Sequence, residues 1–298
     1  MNPKPAASVI IPVLNGEKHI GELLVALKAQ AGVPDGFEIL VIDNGSTDRT
    51  VEVVRGHGVT PLHQPKRGPG VARNLGLAHA KADIIVCVDS DCIPSRRYIA
   101  TLLAAMADPT VGIATGPILG WQPTTAAERY INARNSTSQR KTAENPKHPY
   151  AFGMHTTFRR AEGVELGGWD ETMDSGEDMD FCFRYAKRFK KPIRYIDHAV
   201  LFHKHRSTDE ALWKQSRWHG TGYAAVQRRH PEMVRWGTVT IPFVYLSIGM
   251  ITATKPIVWC GGALRLLSRE RVEFENYHRR WFREFWGSFL VERRKRSP

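Results

Sequence analysis

The chain has 298 residues, 42% of them hydrophobic and 24% charged, with a formal net charge of +12. That length suits one large α/β domain or two smaller ones and excludes a small stapled module, since Cys87, Cys92, Cys182 and Cys260 form no CxxC pair or disulfide framework. The charge predicts an anionic partner, whether nucleic acid, an acidic membrane face or a phosphorylated substrate. The opening "MNPKPAASVIIPVLN" enters a strand pattern without a signal peptide, so a reducing cytoplasm is expected.

"SVIIPVLN" and "EILVIDNGSTD" are apolar, β-rich runs that end in Asn or Asp, each followed by a helical pattern. Ile20, Leu23, Leu24 and Leu27 share one face of the first helix; Val51 and Val54 mark the second, with Ser46 or Thr47 as its N-cap. "GPGVARNLGLAHAKADIIVCVDSD" adds a helix and a third strand, so residues 8 to 107 read as a doubly wound half with a parallel sheet. From 108 to 160 the pattern is weaker, with a helix in "AAERYINARNSTSQRK" and a Pro-rich loop in "AENPKHPYAFGM". "SGEDMDFCFRYAKRF" reads as a helix carrying Glu177, Asp178 and Asp180 in its first turn, where the helix dipole favours acids. "PIRYI" and "HAVLFHKH" read as strands, and a long helix follows from about 208 to 229.

The last section differs in kind. "TVTIPFVYLSIGMITAT" (238–254) holds no charged residue, and "IVWCGGAL" follows after Lys255 and Pro256. Each piece is at or below the roughly 17 to 25 residues of a spanning helix. With the arginine-rich tail ending in "ERRKRSP", they fit a re-entrant hairpin or in-plane helix held on the cytoplasmic face of an anionic membrane, with Trp236 and Trp259 as interfacial aromatics. A soluble helical hairpin is the competing reading.

The third strand runs straight into Asp89, Ser90 and Asp91. In open α/β sheets ligands gather outside the carboxyl ends of the strands, and two acids one residue apart repel unless a cation neutralises them or one takes a proton. Hard ions such as Mg²⁺ and Mn²⁺ take carboxylate oxygens. A capped turn ahead of "IPSRRYIATLLAAM" explains the same residues, and both readings stand at this level. His203 and His205 fall on one face of a strand, which admits a zinc site beside a structural role for His198, His203 and His205.

"SVIIPVLNGE", "ILVIDNGSTDRT", "GVARNLGLAHAKADIIVCVDSDCIP", "GGWDE" and "GEDMDFCFRYAK" occur in the order seen in family 2 glycosyltransferases, and the chain resembles them over roughly residues 8 to 205. The resemblance implies an α/β GT-A fold, Rossmann-like, with a mostly parallel central sheet and flanking helices; the C-terminal helical membrane-associated segment beyond it is read from the apolar and arginine-rich sequence itself. The implied domains are 1–235 for catalysis, with a nucleotide-binding half at 8–107 and an acceptor half at 108–235, and 236–298 for the apolar and basic segment. The implied activity is inverting transfer of a sugar from a nucleotide diphosphate, a UDP-sugar in the first instance with dTDP and GDP donors also in use. The acceptor is a hydroxyl of a glycan or lipid-linked molecule, as in polysaccharide biosynthesis, and the reaction depends on Mn²⁺ or Mg²⁺.

Residue by residue, "DSD" resembles the DXD motif, with Asp91 directed at metal and diphosphate, and Asp89 nearer the ribose or a metal-bound water; Ser90 joins the donor-contacting set. Asp43 matches the aspartate that contacts the nucleobase, and Asn44 stands where the family often has a second Asp. Arg73 matches the Arg of "ARN" near the base, and Pro12, Val13 and Asn15 match the loop bordering the nucleoside. For Arg73 and Asn74 an ordinary surface helix is the alternative. Asp178 matches the catalytic base, Glu177 beside it would orient the loop or acceptor, and Asp180 would pack the helix start. His203 lies where some GT-A enzymes place a further metal ligand. "KQSRWHGTG" is similar to the QxxRW signature of processive synthases, but Gln215 is one residue too close to Arg217 and Trp218, which argues against processivity.

Other classes fit less well. An NAD-dependent enzyme needs GxGxxG after its first strand, where this chain has "PVLNGEKH". A nucleotidyltransferase that makes a sugar nucleotide needs a Gly-rich phosphate loop at the same place. A non-enzymatic nucleic-acid or membrane-binding protein accounts for the charge but not for acids at successive strand ends, which repel phosphate. Nucleic acid is therefore not an expected partner; a homo-oligomer stays open.

Overall fold

The computed structural model describes residues 4–134, 138–232 and 267–294, with 256 and 258. β1 (Ala7–Val13) is a run of apolar residues because it is buried on both faces: β2 (Phe37–Asp43) pairs parallel to it on one side and β4 (Ile84–Cys87) on the other, and the short β3 (Leu62–His63) extends the sheet beyond β2. Further along come β6 (Ile113–Thr115), β8 (Thr156–Arg159) and β9 (Ile193–Tyr195). The central sheet has seven strands in the order β3-β2-β1-β4-β8-β6-β9, and β8 runs antiparallel to both neighbours. A second, three-stranded sheet pairs β5 (Cys92–Pro94) and β7 (Ile118–Gly120) with β10 (Leu201–His203) between them. β5 was not foreseen, because its three residues lie inside a stretch that reads as a loop entering a helix.

The pleat of β1 divides the core. Val9, Ile11 and Val13 pack with α1 (Ile20–Lys28), α2 (Thr50–Gly56) and α4 (Tyr98–Met106), whereas Ile10 packs with α3 (Pro69–His79) and α8 (Glu177–Phe189) on the opposite face. The expected face of α1 is the buried one: Ile20, Leu23, Leu24 and Leu27 are fully covered, each contributing on the order of 1.5–3 kcal/mol. The expected N-cap of α2 is corrected. Asp48 Oδ1 accepts the Thr50 N–H at 3.0 Å, while Ser46 Oγ accepts from the Asn15 N–H at 2.9 Å and the Thr47 N–H goes to Asn15 Oδ1 at 2.8 Å. Ser46 and Thr47 are thus used in stitching the β1 loop to the β2 loop.

The described residues form two compact units, one within 1–121 and 137–204 and the other within 122–136 and 205–298; the boundary expected at 235 lies outside the described residues. The second unit contains α5 (Ala126–Arg134), α9 (Asp209–Arg229) and α10 (Arg269–Arg293). Ala127, Tyr130 and Ile131 of α5 share an apolar cluster with Leu212 and Trp213 of α9 and Trp281 of α10. That cluster explains why α9 separates from the strands that precede it in sequence. The single helix expected over 126–141 is divided as well: α5 belongs to this unit and α6 (Gln139–Ala143) to the first. α9 follows its expected span, with Thr208 Oγ1 accepting from the Ala211 N–H as an N-cap. Among the described residues no helix is long and apolar enough to cross a membrane, and the 238–254 stretch lies outside them.

Candidate active site

Because β1, β2 and β4 run parallel, their carboxyl ends share one edge of the sheet. Pro12 and Val13 close β1, Asn15 sits in the loop beyond it, and Asp43 closes β2. Asp43 is buried. Its Oδ1 accepts the Ser46 N–H at 3.1 Å and its Oδ2 lies 3.3 Å from Nδ1 of exposed His63, at the end of β3. Asn44 has a different task from the acid that the resemblance leads one to look for. Its amide nitrogen donates to the carbonyls of Gln64 and Lys66 at 3.1 and 2.7 Å, while its Oδ1 accepts from the Gly68 N–H at 2.8 Å. A carboxylate cannot donate to a carbonyl, so only an amide serves both sides of this loop.

Asp89, Ser90 and Asp91 follow β4 as half-buried residues and turn the chain into β5. The register of β5 against β10 places His203 opposite Cys92, and His203 Nε2 comes within 3.5 Å of Asp91 Oδ1. Both side chains are largely buried, at 5% and 13% exposure. One carboxylate oxygen and one imidazole nitrogen therefore converge at the strand-end edge. Among the described residues no three His, Cys, Asp or Glu side chains form a metal cage, and His205 lies beyond the end of β10, so the zinc site suggested by strand spacing is not built. Two protein groups do suit Mg²⁺ or Mn²⁺, which takes one or two side chains and completes its shell with phosphate oxygens and water.

The third part of the site is the start of α8. Gly176, at φ +80°, turns the chain into the helix from a left-handed conformation that favours glycine, and Glu177, Asp178 and Asp180 occupy the first turn. Asp180 turns inward and accepts from Arg184 Nε at 2.7 Å, one helical turn on. Asp178 Oδ2 accepts the Gly153 N–H at 3.0 Å and its Oδ1 the Met179 N–H at 2.8 Å. Glu177 Oε1 accepts from Arg73 Nη1 at 2.7 Å, and Arg73 Nη2 donates to Asp89 Oδ1 at 2.9 Å. Arg73 is 3% exposed, so the surface-helix alternative does not hold for it. Asn74 likewise faces the protein: its amide nitrogen donates to the Trp169 carbonyl at 2.9 Å and its Oδ1 accepts the Trp169 N–H at 2.8 Å, tying α3 to the "GGWDE" turn.

Charge in this region is unbalanced, because one guanidinium serves Asp89, Glu177 and the nearby Asp178. Burial alone would lower the Arg73 pKa, but the charges of Asp89 and Glu177 outweigh it and hold the guanidinium firmly ionised. Burial pushes the Glu177 carboxyl up to about 7, with the Asp178 charge adding to the rise and Arg73 opposing it. Burial also raises the Asp178 pKa above the ordinary carboxylate value, against the pull of the Gly153 N–H. A carboxylate held this way is a better proton acceptor than one in water.

Three participants escaped the sequence reading. Gly153 sits in a Pro-rich stretch whose loop character is visible but whose contact with α8 is not. His63 ends a two-residue strand too short to register as one, and β5 decides where His203 lies. None has a periodic signal; for Asn44 the available signal was its place in "DNGSTD", which suggests an Asx-type turn residue.

Residues 8–162 match the family model described as glycosyl transferase family 2. The pre-mycofactocin glycosyltransferase of Mycobacterium tuberculosis is 29% identical over 256 residues, covering 81% of this chain and 53% of its own length, so this chain spans about half of that relative. A mannosyltransferase from Pyrobaculum calidifontis, solved in complex with GDP-Man and Mn²⁺, superposes with a TM-score of 0.65 at 21% identity, covering 95% of this chain and 88% of that one. The glucosyl-3-phosphoglycerate synthase of Mycobacterium tuberculosis, solved with Mn²⁺, UDP-Glc and phosphoglyceric acid, superposes at 0.57 with 19% identity over 76% of this chain and 79% of that one. At such identities the structural likeness speaks for the fold.

Proposed function

Because the chain belongs to glycosyl transferase family 2 and has a GT-A-like α/β fold, we propose that it is an inverting, metal-dependent glycosyltransferase that moves a sugar from a nucleoside diphosphate to a hydroxyl of a glycan or lipid-linked acceptor. The observation that carries this reading is the convergence of Asp91 and His203 at the edge where three parallel strands end, with Asp178 held by backbone N–H groups at the start of α8. The nucleotide sugars and Mn²⁺ bound in the two structural neighbours are in keeping with it. A nucleotidyltransferase and a non-enzymatic binding protein are not favoured by the family match.

Pro12, Val13 and Asn15 border the nucleoside in this reading. Asp43 accepts an N–H from the base, which makes uracil, with its imide N–H, the first candidate and guanine the second. Asp91 and His203 would hold the divalent ion, and Asp89 and Ser90 would face the ribose and diphosphate. When bound, that ion neutralises the charge that builds on the departing diphosphate. Asp178 takes the proton of the attacking hydroxyl, and its raised pKa brings its basicity closer to the working pH. No covalent nucleophile is needed for a single displacement, and single displacement inverts the anomeric carbon.

The net charge of +12 and the arginine-rich C-terminal sequence support a reading in which the enzyme works at an anionic membrane surface, where a lipid-linked acceptor would be within reach. Cosedimentation of the full chain with anionic vesicles at low salt tests that part; a chain that stays in the supernatant refutes it. The central test is a panel of UDP-, GDP- and dTDP-sugars with Mn²⁺, scored by nucleotide release and by binding. Release from at least one donor, lost in EDTA and restored by Mn²⁺, is expected. Full activity after proven removal of the metal refutes the metal-dependent mechanism.

A further inference from the structure

The resemblance puts Arg73 near the nucleobase, but the structure uses its guanidinium elsewhere. Nη1 goes to Glu177 at 2.7 Å and Nη2 to Asp89 at 2.9 Å, and the side chain is 4% exposed. Both ends of the fork are engaged by carboxylates of the chain itself, and a covered fork is poorly placed to read a ligand that enters from solvent. Those carboxylates come from distant parts of the sequence. Asp89 follows β4 beside the Asp91–His203 pair, and Glu177 opens α8 next to Asp178.

Gly153 completes the arrangement. A Cβ at this position would lie 2.7 Å from Arg73 Nη2 and 2.8 Å from its Cζ, so any larger residue displaces the guanidinium. The same glycine donates its N–H to Asp178 Oδ2 at 3.0 Å. One peptide therefore makes room for the arginine and orients the neighbouring acid. The Trp169 ring centroid lies 6.0 Å from Arg73 Cζ, and the ring stacks on Phe181 of α8 at 4.6 Å.

We propose that Arg73 is a positioning residue: it clamps Asp89 to Glu177, and through Gly153 fixes Asp178 relative to the Asp89–Asp91 edge. The proposal rests on the transferase reading, in which Asp178 is the base and that edge takes the diphosphate. Glu177 is then the counter-ion that anchors α8 to the clamp, in place of the acceptor-orienting role that its position beside Asp178 suggests. A planar fork is required, because a lysine ammonium cannot engage two carboxylates with the same spacing and direction. Displacement of a base by about 1 Å can cost roughly a hundredfold in turnover while leaving ground-state binding intact.

The test compares Arg73→Lys and Gly153→Ala with the parent full-length chain. Binding of UDP and of GDP, each with Mn²⁺, is measured by calorimetry, and turnover is followed as nucleotide release from whichever sugar nucleotide the donor panel selects. Both variants should bind the nucleoside diphosphate within about threefold of the parent and keep the donor KM, with kcat lowered roughly 10- to 100-fold. Each variant is also made in an Asp178→Asn background. If the clamp acts through Asp178, it should cost little further turnover there, a non-additivity that general loosening of the fold does not produce. Nucleotide affinity that falls tenfold or more with kcat kept overturns the proposal and makes Arg73 a donor contact, as do losses that multiply with Asp178→Asn. If Arg73→Lys does not fold, Gly153→Ala decides, since it keeps every charge; unchanged kcat in that variant also overturns the clamp. A parent chain that binds neither nucleotide and releases none from any donor refutes the transferase reading, and the clamp's catalytic role with it.

Discussion

Both compact units have apolar cores, but they differ in the polar groups buried beside them. In the first, buried polar side chains find partners near and far: Arg73 meets Glu177, 104 positions on, Asp43 accepts from the Ser46 N–H and lies beside exposed His63, and Gln139 Oε1 accepts from the Phe152 N–H. In the second, α5, α9 and α10 meet through rings, with Tyr130 against Tyr277 and Trp281, Trp213 against Tyr277, and the guanidinium of Arg134 over Trp281 at 4.5 Å. Among the described residues the buried carboxylates, Asp43, Glu177 and Asp180, all belong to the first unit. Burying a charge is costly unless it is paired, whereas burying a ring stabilises. Chemistry is therefore to be sought in the first unit, where buried Glu177 and half-buried Asp89 share one guanidinium; the buried polar groups of the second, such as Ser216 and Gln227, include no carboxylate among the described residues.

The largest effect is expected at the strand-end edge proposed to take the metal. Asp91→Asn is expected to abolish transfer and to remove the Mn²⁺ or Mg²⁺ dependence of nucleotide binding, with the circular dichroism of the parent retained; wild-type turnover in that variant ends the assignment. Asp178→Asn keeps shape and removes the proton acceptor, so turnover should fall on the order of 10²- to 10⁴-fold while donor binding survives. An unchanged rate would move the base elsewhere, with Glu177 next in line.

The pH profile sharpens the same point. Asp178 must be unprotonated to act, and its pKa is raised, so turnover should decline as pH falls through a value above the ordinary 3.8 of an aspartate. A profile that stays flat down to pH 4 argues against this base. In the second unit the expected effects are on stability. Trp281, 3% exposed, fills the ring cluster, and Trp281→Ala should cost about 3–5 kcal/mol in denaturant unfolding, with UDP or GDP affinity of the folded protein within about threefold of the parent. An equal loss of nucleotide affinity would erase the distinction between the units. The smallest effect belongs to the Arg217–Glu284 pair at 2.8 Å, whose arginine is 47% exposed: a double-mutant cycle should return about 0.2–1 kcal/mol, decreasing with salt. A coupling well above that range would mean that ion pairing, and not ring packing, organises the helices.

Much of the first unit was legible without coordinates, for reasons that can be named residue by residue. Continuous apolar runs in β1 and β4 announce strands buried on both faces, the spacing of Ile20, Leu23, Leu24 and Leu27 announces a helix with one covered side, and acids just past a strand announce the edge where ligands gather. These are properties of a few consecutive residues, set by pleat and helical pitch. The five ordered motifs went further and identified the family, which residues 8–162 match.

Which of those residues meet depends on packing between elements. Arg73 and Glu177 stand 104 positions apart, and no local period links them; only the packing of α3 and α8 on one face of the sheet brings the guanidinium to both carboxylates. His203 reaches Asp91 through the register of β10 on β5, a strand of three residues with no pattern of its own. The need for an amide at Asn44 and for the smallest residue at Gly153 appears only when the partner atoms are in place: two carbonyls in one case, a guanidinium in the other. The elements and the strand-end edge proposed as the site follow from neighbours along the chain, and so they were readable before any contact was known. The pairing of charges at that edge was left to the fold, because an ion pair is specified by distance in space, and residues far apart in sequence acquire that distance only when the sheet and its helices close around them.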